Sequence, residues 1–210
     1  MNNKIISRSL VSAVCGTCFT MANAQDRPNI IVFLVDDMGL MDTSVPFDVD
    51  QEGNAVKQPL NEWYRTPNME RLANQGIRFS TFYAQSVSSP SRASIMTGQK
   101  GLTQEDKIYP YLLQQAGYKT IHVGKAHFGC QNSEGEDPKN LGFDVNIAGS
   151  AIGHPGSYHG ENGYGWIKGQ RARAVPDLEQ YHKTSTFLSD ALTLEAGKEM
   201  EKAVAEHKPF

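Results

Sequence analysis

A continuous apolar segment near the amino terminus constrains the fold more than any other feature of this sequence. Residues 29–35, Asn-Ile-Ile-Val-Phe-Leu-Val, are rich in β-branched side chains and show no alternation with polar positions. Such a run is typical of a strand buried on both faces, as in the centre of a parallel sheet. Asp36 and Asp37 follow it directly, at the strand end where α/β proteins bind their ligands. We therefore predict a buried strand with a carboxylate pair at its end.

Helix and strand patterns alternate along the chain. The predicted elements are a strand over residues 29–35, a helix over 67–75, a strand over 77–83, a helix over 110–116, a strand over 119–123 and a helix over 189–206. Thr66 and Gly76 suit the two ends of the first helix. Apolar residues recur every four positions from Leu192 to Val204 in the last one. The alternation predicts an α/β fold, a mostly parallel central sheet flanked by helices.

The segment Ser-Ser-Pro-Ser-Arg, residues 88–92, follows the second predicted strand. Pro90 suits the first turn of a helix, so Ser88 would lie at the amino end, where free N–H groups favour an anion. Arg92 adds a permanent charge that can hold a tetrahedral oxyanion through two N–H bonds. The pattern indicates a nucleophile in an anion pocket. The alternative is an ordinary Ser-Pro helix start with Arg92 in solvent.

Polar residues also follow the other two predicted strands. Lys125 offers a point charge to an anion, and His127 can transfer a proton near neutral pH. Asp36 and Asp37 repel each other unless a cation lies between them, and their oxygens favour calcium or magnesium over zinc. Since parallel strands end at one edge of a sheet, we expect these groups and Ser88 to form one site. Taken separately, each pair also fits a solvated loop, and the Asp36-Asp37 pair also fits a helix cap.

These clusters resemble the signatures of the type I sulfatases. Residues 88–98 match Cys/Ser-x-Pro-x-Arg with its apolar stretch and Thr-Gly, with serine at the first position. Residues 36–42 fit Asp-Asp-x-Gly followed by Asp, and residues 117–129 resemble Gly-Tyr-x-Thr then Gly-Lys-x-His-x-Gly. Ala126 stands where tryptophan is frequent. The resemblance implies the alkaline-phosphatase-like α/β fold, incomplete in this chain.

The resemblance also implies an activity, the hydrolysis of sulfate monoesters, with sulfated glycans as the expected substrates. Ser88 is implied to become formylglycine through a sulfatase-maturating radical S-adenosylmethionine enzyme, and its hydrated form to attack sulfur. Asp36 and Asp37, with residue 88, are implied as ligands of calcium, with magnesium as the alternative. Arg92 would stabilise the ionised diol oxygen.

For the last two candidates, the resemblance implies that Lys125 contacts sulfate and that His127 transfers a proton. Two other functions stay open: a phosphate or phosphonate monoester hydrolase that uses Ser88 directly, and a non-catalytic remnant. The sequence stops at residues 208–210, where the family continues into a further strand, an active-site histidine, an Asp-Asn or Asp-Gln pair and a second lysine. We therefore expect residues 25–210 to be the amino-terminal part of a catalytic domain, inactive alone.

The first 24 residues are typical of an export signal. Lys4 and Arg8 precede a mostly apolar or small stretch over residues 10–21, and Ala-Asn-Ala at 22–24 fits a cleavage site. The stretch is too short to span a membrane. We predict a signal peptide over residues 1–24 and a periplasmic or cell-surface protein in a bacterium. Its removal changes the formal net charge from −3 to −5, which gives no indication of nucleic-acid binding.

Three further features carry weaker indications. Residues 153–160 form a glycine-rich loop with two histidines, and such loops often shape substrate pockets, although a structural turn fits equally well. Ser150, just before this loop, is a further candidate for the surroundings of the site, but no spacing argument places it there. His122 lies within a predicted strand, and we expect it to be a core residue.

Overall fold

A computed structural model describes residues 27–99, 108–165 and 173–210, so the predicted signal peptide lies outside the described residues. The elements in chain order are β1 (Asp48–Val49), β2 (Ala55–Val56), α1 (Pro59–Trp63), α2 (Pro67–Gln75), α3 (Ser88–Thr97), α4 (Tyr109–Gln115), β3 (Ile121–Val123), β4 (Val145–Ile147) and α5 (Leu188–Ala205). Short 3₁₀ helices occupy Glu134–Glu136, Pro138–Leu141, Gly160–Asn162 and Glu179–Tyr181. None of the helices in these ranges is long and apolar enough to cross a membrane.

The helices predicted from capping and periodicity are confirmed to within one residue. Helix α2 follows Thr66 and ends before Gly76. Thr66 uses its hydroxyl to bond Ser44 Oγ at 2.8 Å rather than to cap the helix. In α5 the buried positions are Leu188, Ala191, Glu195 and Ala203. The predicted apolar stripe therefore lies beside the buried face, and Val204 at its end is 60% exposed.

The best-packed part of the molecule surrounds a parallel pair of strands. Strand β3 pairs with β4 in register from Ile121–Val145 to Val123–Ile147. The core beside this pair consists of Ile147, Ala148, Tyr164, Leu178, Leu188 and Ala191. Helix α5 thus covers β3, and the loop that follows β3 starts from a fixed position. Strand β4 was not predicted from the sequence.

Two predicted strands are wrong. Residues 29–35 belong to no strand, and Ile30–Val35 are 41–83% exposed. Residues 77–83 are also irregular, with Tyr83 at 87% exposure. A strand forms only where a neighbour pairs with its backbone. Among the described residues, the backbone hydrogen bonding of the first segment is limited to one bond, from Ile30 N to Phe210 O at 2.6 Å.

The smaller sheet is a hairpin before the first helices. Strands β1 and β2 pair antiparallel through two residues each. Within the described residues the parallel sheet is therefore the β3–β4 pair. Of the three strands predicted from the sequence, only the third, over residues 119–123, forms there as β3. The α/β character of the prediction holds, while its first two strands do not.

Candidate active site

Helix α3 places Ser88 and Arg92 on one side of the site. It begins at Ser88 after the N-cap residue Val87, and Pro90 lies in its first turn, where a missing N–H costs no helical bond. Arg92 is one turn further along and only 6% exposed. Gly98 ends the helix with a φ of +70°, a conformation that glycine adopts without steric cost. The predicted helix start is confirmed.

Arg92 connects three segments of the chain. Its Nε donates to Ser88 Oγ at 3.1 Å, and its Nη1 donates to the carbonyl of Lys125 at 2.6 Å. Its Nη2 lies 3.2 Å from Asp36 Oδ1, where it forms an ion pair. The alternative of an arginine in solvent is therefore wrong. A buried guanidinium that donates in three directions holds the helix, the segment after residue 35 and the loop after β3 together.

Asp36 is the acidic centre of the cluster. Its second carboxylate oxygen, Oδ2, lies 2.5 Å from the ammonium of Lys125. Partial burial acts to raise the pKa of Asp36, but hydrogen bonds and charges from Lys125 and Arg92 outweigh it and hold that pKa below its usual value. Asp36 is therefore ionised at neutral pH and bridges the two cations.

His127 faces Ser88 from the loop after β3. Its Nδ1 lies 3.3 Å from Ser88 Oγ. Its backbone is left-handed, with a φ of +51°, and its N–H donates to the carbonyl of Ser150 at 2.9 Å. Burial and the charges of Lys125 and Arg92 lower the pKa of His127, against an opposing effect of Asp36. The imidazole is therefore mostly neutral at pH 7.

The glycine-rich loop lies against this histidine. A Cβ added to Gly153 would stand 3.3 Å from His127 Cε1, so the backbone passes close to the ring. The next residue, His154, accepts a hydrogen bond at Nε2 from Arg173 Nη1 at 2.6 Å. Ser150 and Gly153 touch His127 through backbone atoms, and such contacts leave no side-chain pattern in a sequence. The glycine content of residues 153–160 pointed to Gly153, and no sequence pattern pointed to Ser150.

A metal ion is not fixed by the arrangement of these residues. Asp36, Asp37 and the hydroxyl of Ser88 have the oxygen chemistry that hard cations prefer. Asp37 is exposed, with a left-handed backbone at φ +55°, and both oxygens of Asp36 are paired with Lys125 and Arg92. Within the described part of the chain, no three acidic, histidine or cysteine groups are positioned around a metal. The oxygen donors are of the type that calcium prefers. For calcium to bind there, Asp36 would have to give up a contact with Lys125 or Arg92.

His122 is a core residue, as expected. Its ring makes edge contacts with Phe128 and Phe143, with centroids 5.5 and 5.3 Å away. Its Nδ1 lies 3.1 Å from Asn146 Oδ1. Burial lowers the pKa of His122 to about 4, although the Asn146 contact acts to raise it. This histidine stabilises the fold and is not part of the cluster at Ser88.

Comparison with known proteins identifies the class. The sequence model of the Sulfatase family matches residues 28–210, and the chain therefore belongs to the sulfatase family. The α/β fold expected from the sequence is the fold of that family.

Individual relatives agree with this assignment. The N-acetylglucosamine-6-O-sulfatase of Bacteroides thetaiotaomicron is 40% identical over 113 residues, which is 48% of this chain and 18% of the relative. The arylsulfatase of Klebsiella aerogenes is 29% identical over 167 residues, 69% of this chain and 32% of the relative. A sulfatase of Formosa agariphila is 32% identical over 171 residues, 66% and 29% of the two chains. The matched region spans less than a third of the length of each relative.

Proposed function

We propose that this chain supplies the Ser88 side of an active site that hydrolyses sulfate monoesters. The observation that carries the proposal is the position of Ser88 Oγ, 3.1 Å from Arg92 Nε and 3.3 Å from His127 Nδ1. An anion at the amino end of α3 would meet the charges of Arg92 and Lys125 and the positive end of the helix dipole. Sulfated glycans are the proposed substrates, since one relative is named for a sulfated amino sugar.

Formylglycine made from Ser88, with calcium at Asp36 and Asp37, would supply a covalent nucleophile and a Lewis acid. Arg92 is buried and its Nε already donates to Ser88 Oγ, so it would stabilise charge on an oxyanion at that position. His127, neutral at pH 7 because its pKa is lowered, would accept the hydroxyl proton of residue 88 across 3.3 Å.

Lys125 would contact an oxygen of the sulfate in this proposal. We also propose maturation of Ser88 by a radical S-adenosylmethionine enzyme before export. Export to the periplasm or cell surface stays a prediction. It is based only on the sequence of residues 1–24, which lie outside the described residues.

The test is to produce the chain together with a sulfatase-maturating enzyme and to weigh the peptide that contains Ser88. Loss of one H₂ is expected in the wild type and in Ser89→Ala, a neighbouring control, and not in Ser88→Ala. Sulfate and phosphate release from matched aryl esters would be measured on the same samples. An intact serine after co-production contradicts the proposal, and preferential phosphate release favours the phosphatase alternative.

A further inference from the structure

The loop that carries His127 is held by the chain segment after β4. The N–H of Gly124 donates to the carbonyl of Ile147 at 2.9 Å, and the N–H of His127 donates to the carbonyl of Ser150 at 2.9 Å. Residues 148–150 therefore run beside the loop after β3, as β4 runs beside β3. The backbone of His127 is left-handed, a conformation that residues other than glycine keep only where their surroundings fix it. The position of the Ser150 carbonyl thus helps to fix His127.

The side chain of Asn146 holds this segment in place. Strand β4 ends before Ala148, whose backbone is left-handed with a φ of +65°, so the turn at the strand end needs an anchoring contact. The amide of Asn146 supplies it, because its Nδ2 donates to the carbonyl of Gly149 at 2.9 Å. Gly149 is buried, and a Cβ added there would stand 2.7 Å from His122 Nδ1. The peptide that leads into Ser150 is therefore fixed by a hydrogen bond and by close packing.

The orientation of the Asn146 amide follows from its neighbours. A backbone carbonyl can only accept a hydrogen bond, so the group that faces Gly149 is the NH₂ group, which also donates to Asp137 Oδ1 at 3.3 Å. The amide oxygen then faces His122 Nδ1 at 3.1 Å, and Nδ1 carries the ring proton because this oxygen can only accept. His122 itself packs against two phenylalanine rings. Asn146 is therefore anchored to packed side chains on one side and holds the segment on the other.

We propose that Asn146 is a positioning residue for His127. It holds the carbonyl of Gly149, the next carbonyl along the chain accepts the N–H of His127, and the imidazole then lies with its Nδ1 3.3 Å from Ser88 Oγ. Asn146 thus acts on the candidate site through two backbone groups. The inference rests on the proposed function only for the use of the imidazole as a proton acceptor, whereas its placement rests on these hydrogen bonds.

The first experiment measures amide hydrogen exchange by NMR on the full chain, produced without a maturating enzyme. Asn146→Asp keeps the shape of the side chain and its oxygen acceptor but loses the N–H donors. The reference amide is Val145, whose N–H donates to the carbonyl of Thr120 at 3.1 Å. The His127 amide is expected to exchange about fivefold faster relative to Val145 than in the wild type. An unchanged ratio of the two rates overturns the proposal, whether both amides exchange faster or neither does.

A matched control makes the same chemical change close by. Asn140 is exposed, and its Nδ2 donates to the carbonyl of Glu134 at 3.2 Å. Asn140→Asp is expected to leave the ratio of the His127 and reference rates within about twofold of the wild type. An increase equal to that of Asn146→Asp would make the effect unspecific and would overturn the proposal.

A second variant separates the lost hydrogen bond from charge repulsion. Asn146→Ala removes the donor without placing a carboxylate against the Gly149 carbonyl, and it also serves as the test if Asn146→Asp does not fold. The His127 amide is again expected to exchange about fivefold faster relative to the reference amide. An unchanged ratio in Asn146→Ala overturns the proposal, since the effect of the Asp variant is then one of charge.

The last measurement concerns the imidazole itself. The ring resonances of His127 in a proton–nitrogen spectrum at constant pH are expected to shift in both Asn146 variants, while those of His207, beyond α5, stay in place. A residue that only stabilises the fold would not shift them, so unchanged His127 resonances overturn the proposal. All measurements use unmodified Ser88 without substrate. Failed maturation or failed ester hydrolysis therefore leaves their outcome unaffected.

Discussion

Two segments that the sequence predicts to be strands behave differently in the structure. Ile121–Val123 pairs with β4 and packs under α5, whereas Ile30–Val35 is largely exposed. Site residues follow both: Asp36 comes after the exposed segment, and Lys125 lies shortly after the packed strand. The candidate site is therefore assembled across a firmly packed region and an uncovered one. Apolar composition selects segments that favour burial, and a neighbour decides whether they are buried.

The sharpest test of this contrast compares one residue from each region. Leu178 is fully buried in the core beside α5, and Leu178→Ala should lower the free energy of unfolding by about 3 kcal/mol. Phe33 is 83% exposed, so Phe33→Ala should change it by less than about 0.5 kcal/mol. Urea unfolding measures both. A loss above about 2 kcal/mol for Phe33→Ala would mean that the segment is covered in solution.

The second prediction concerns the residue that joins the two regions. Arg92→Met removes the donors to Asp36, Ser88 and the Lys125 carbonyl and should cost about 2 kcal/mol, since Asp36 is partly solvated. Arg71→Met on the exposed face of α2 is the control and should cost less than about 0.5 kcal/mol. Urea unfolding is again the measurement. Equal losses for the two variants would show that Arg92 does not connect the regions.

The site was more predictable than the sheet. Ser88 and Arg92 are one helical turn apart, and Lys125 and His127 share one loop, so local spacing brings each pair together. The first two predicted strands are wrong, because strand formation depends on partners distant in the chain, which local sequence patterns do not reveal. Strand β4 was missed because three residues, one of them Asn146, are too short for a periodicity signal.

The third prediction is a pH effect confined to the packed region. Glu195 on α5 accepts hydrogen bonds from Lys198 at 2.6 Å, Tyr181 at 2.7 Å and Gln180 at 3.1 Å. These contacts, those from Lys198 and Tyr181 foremost, lower the pKa of Glu195 to about 2 from an ordinary value of 4.5. Its ionised form therefore stabilises the fold above pH 4.5, and this contribution is lost as the pH falls towards 2.

Glu195→Gln should accordingly lower the free energy of unfolding by about 1 kcal/mol at pH 7, and the difference from wild type should vanish near pH 2. Unfolding by urea at a series of pH values measures this difference. Glu201→Gln, at an exposed position of the same helix, should show no such convergence. If the free energies of unfolding of wild type and Glu195→Gln differ by a constant amount across the acid range, the pKa of Glu195 is not lowered by these contacts.

The smallest expected effect lies where the glycine-rich loop meets the site. Gly153→Ala places a Cβ 3.3 Å from His127 Cε1, so the ring must move by a few tenths of an ångström. The loss of stability should stay below about 1 kcal/mol, while the His127 ring resonances shift in a proton–nitrogen NMR spectrum. Gly197→Ala, in open space on α5, should instead stabilise the chain by about 0.5–1 kcal/mol and leave those resonances in place. If the ring resonances of His127 are the same in Gly153→Ala as in the wild type, the glycine-rich loop does not position the histidine. The site then depends on α3 and the β3 loop alone.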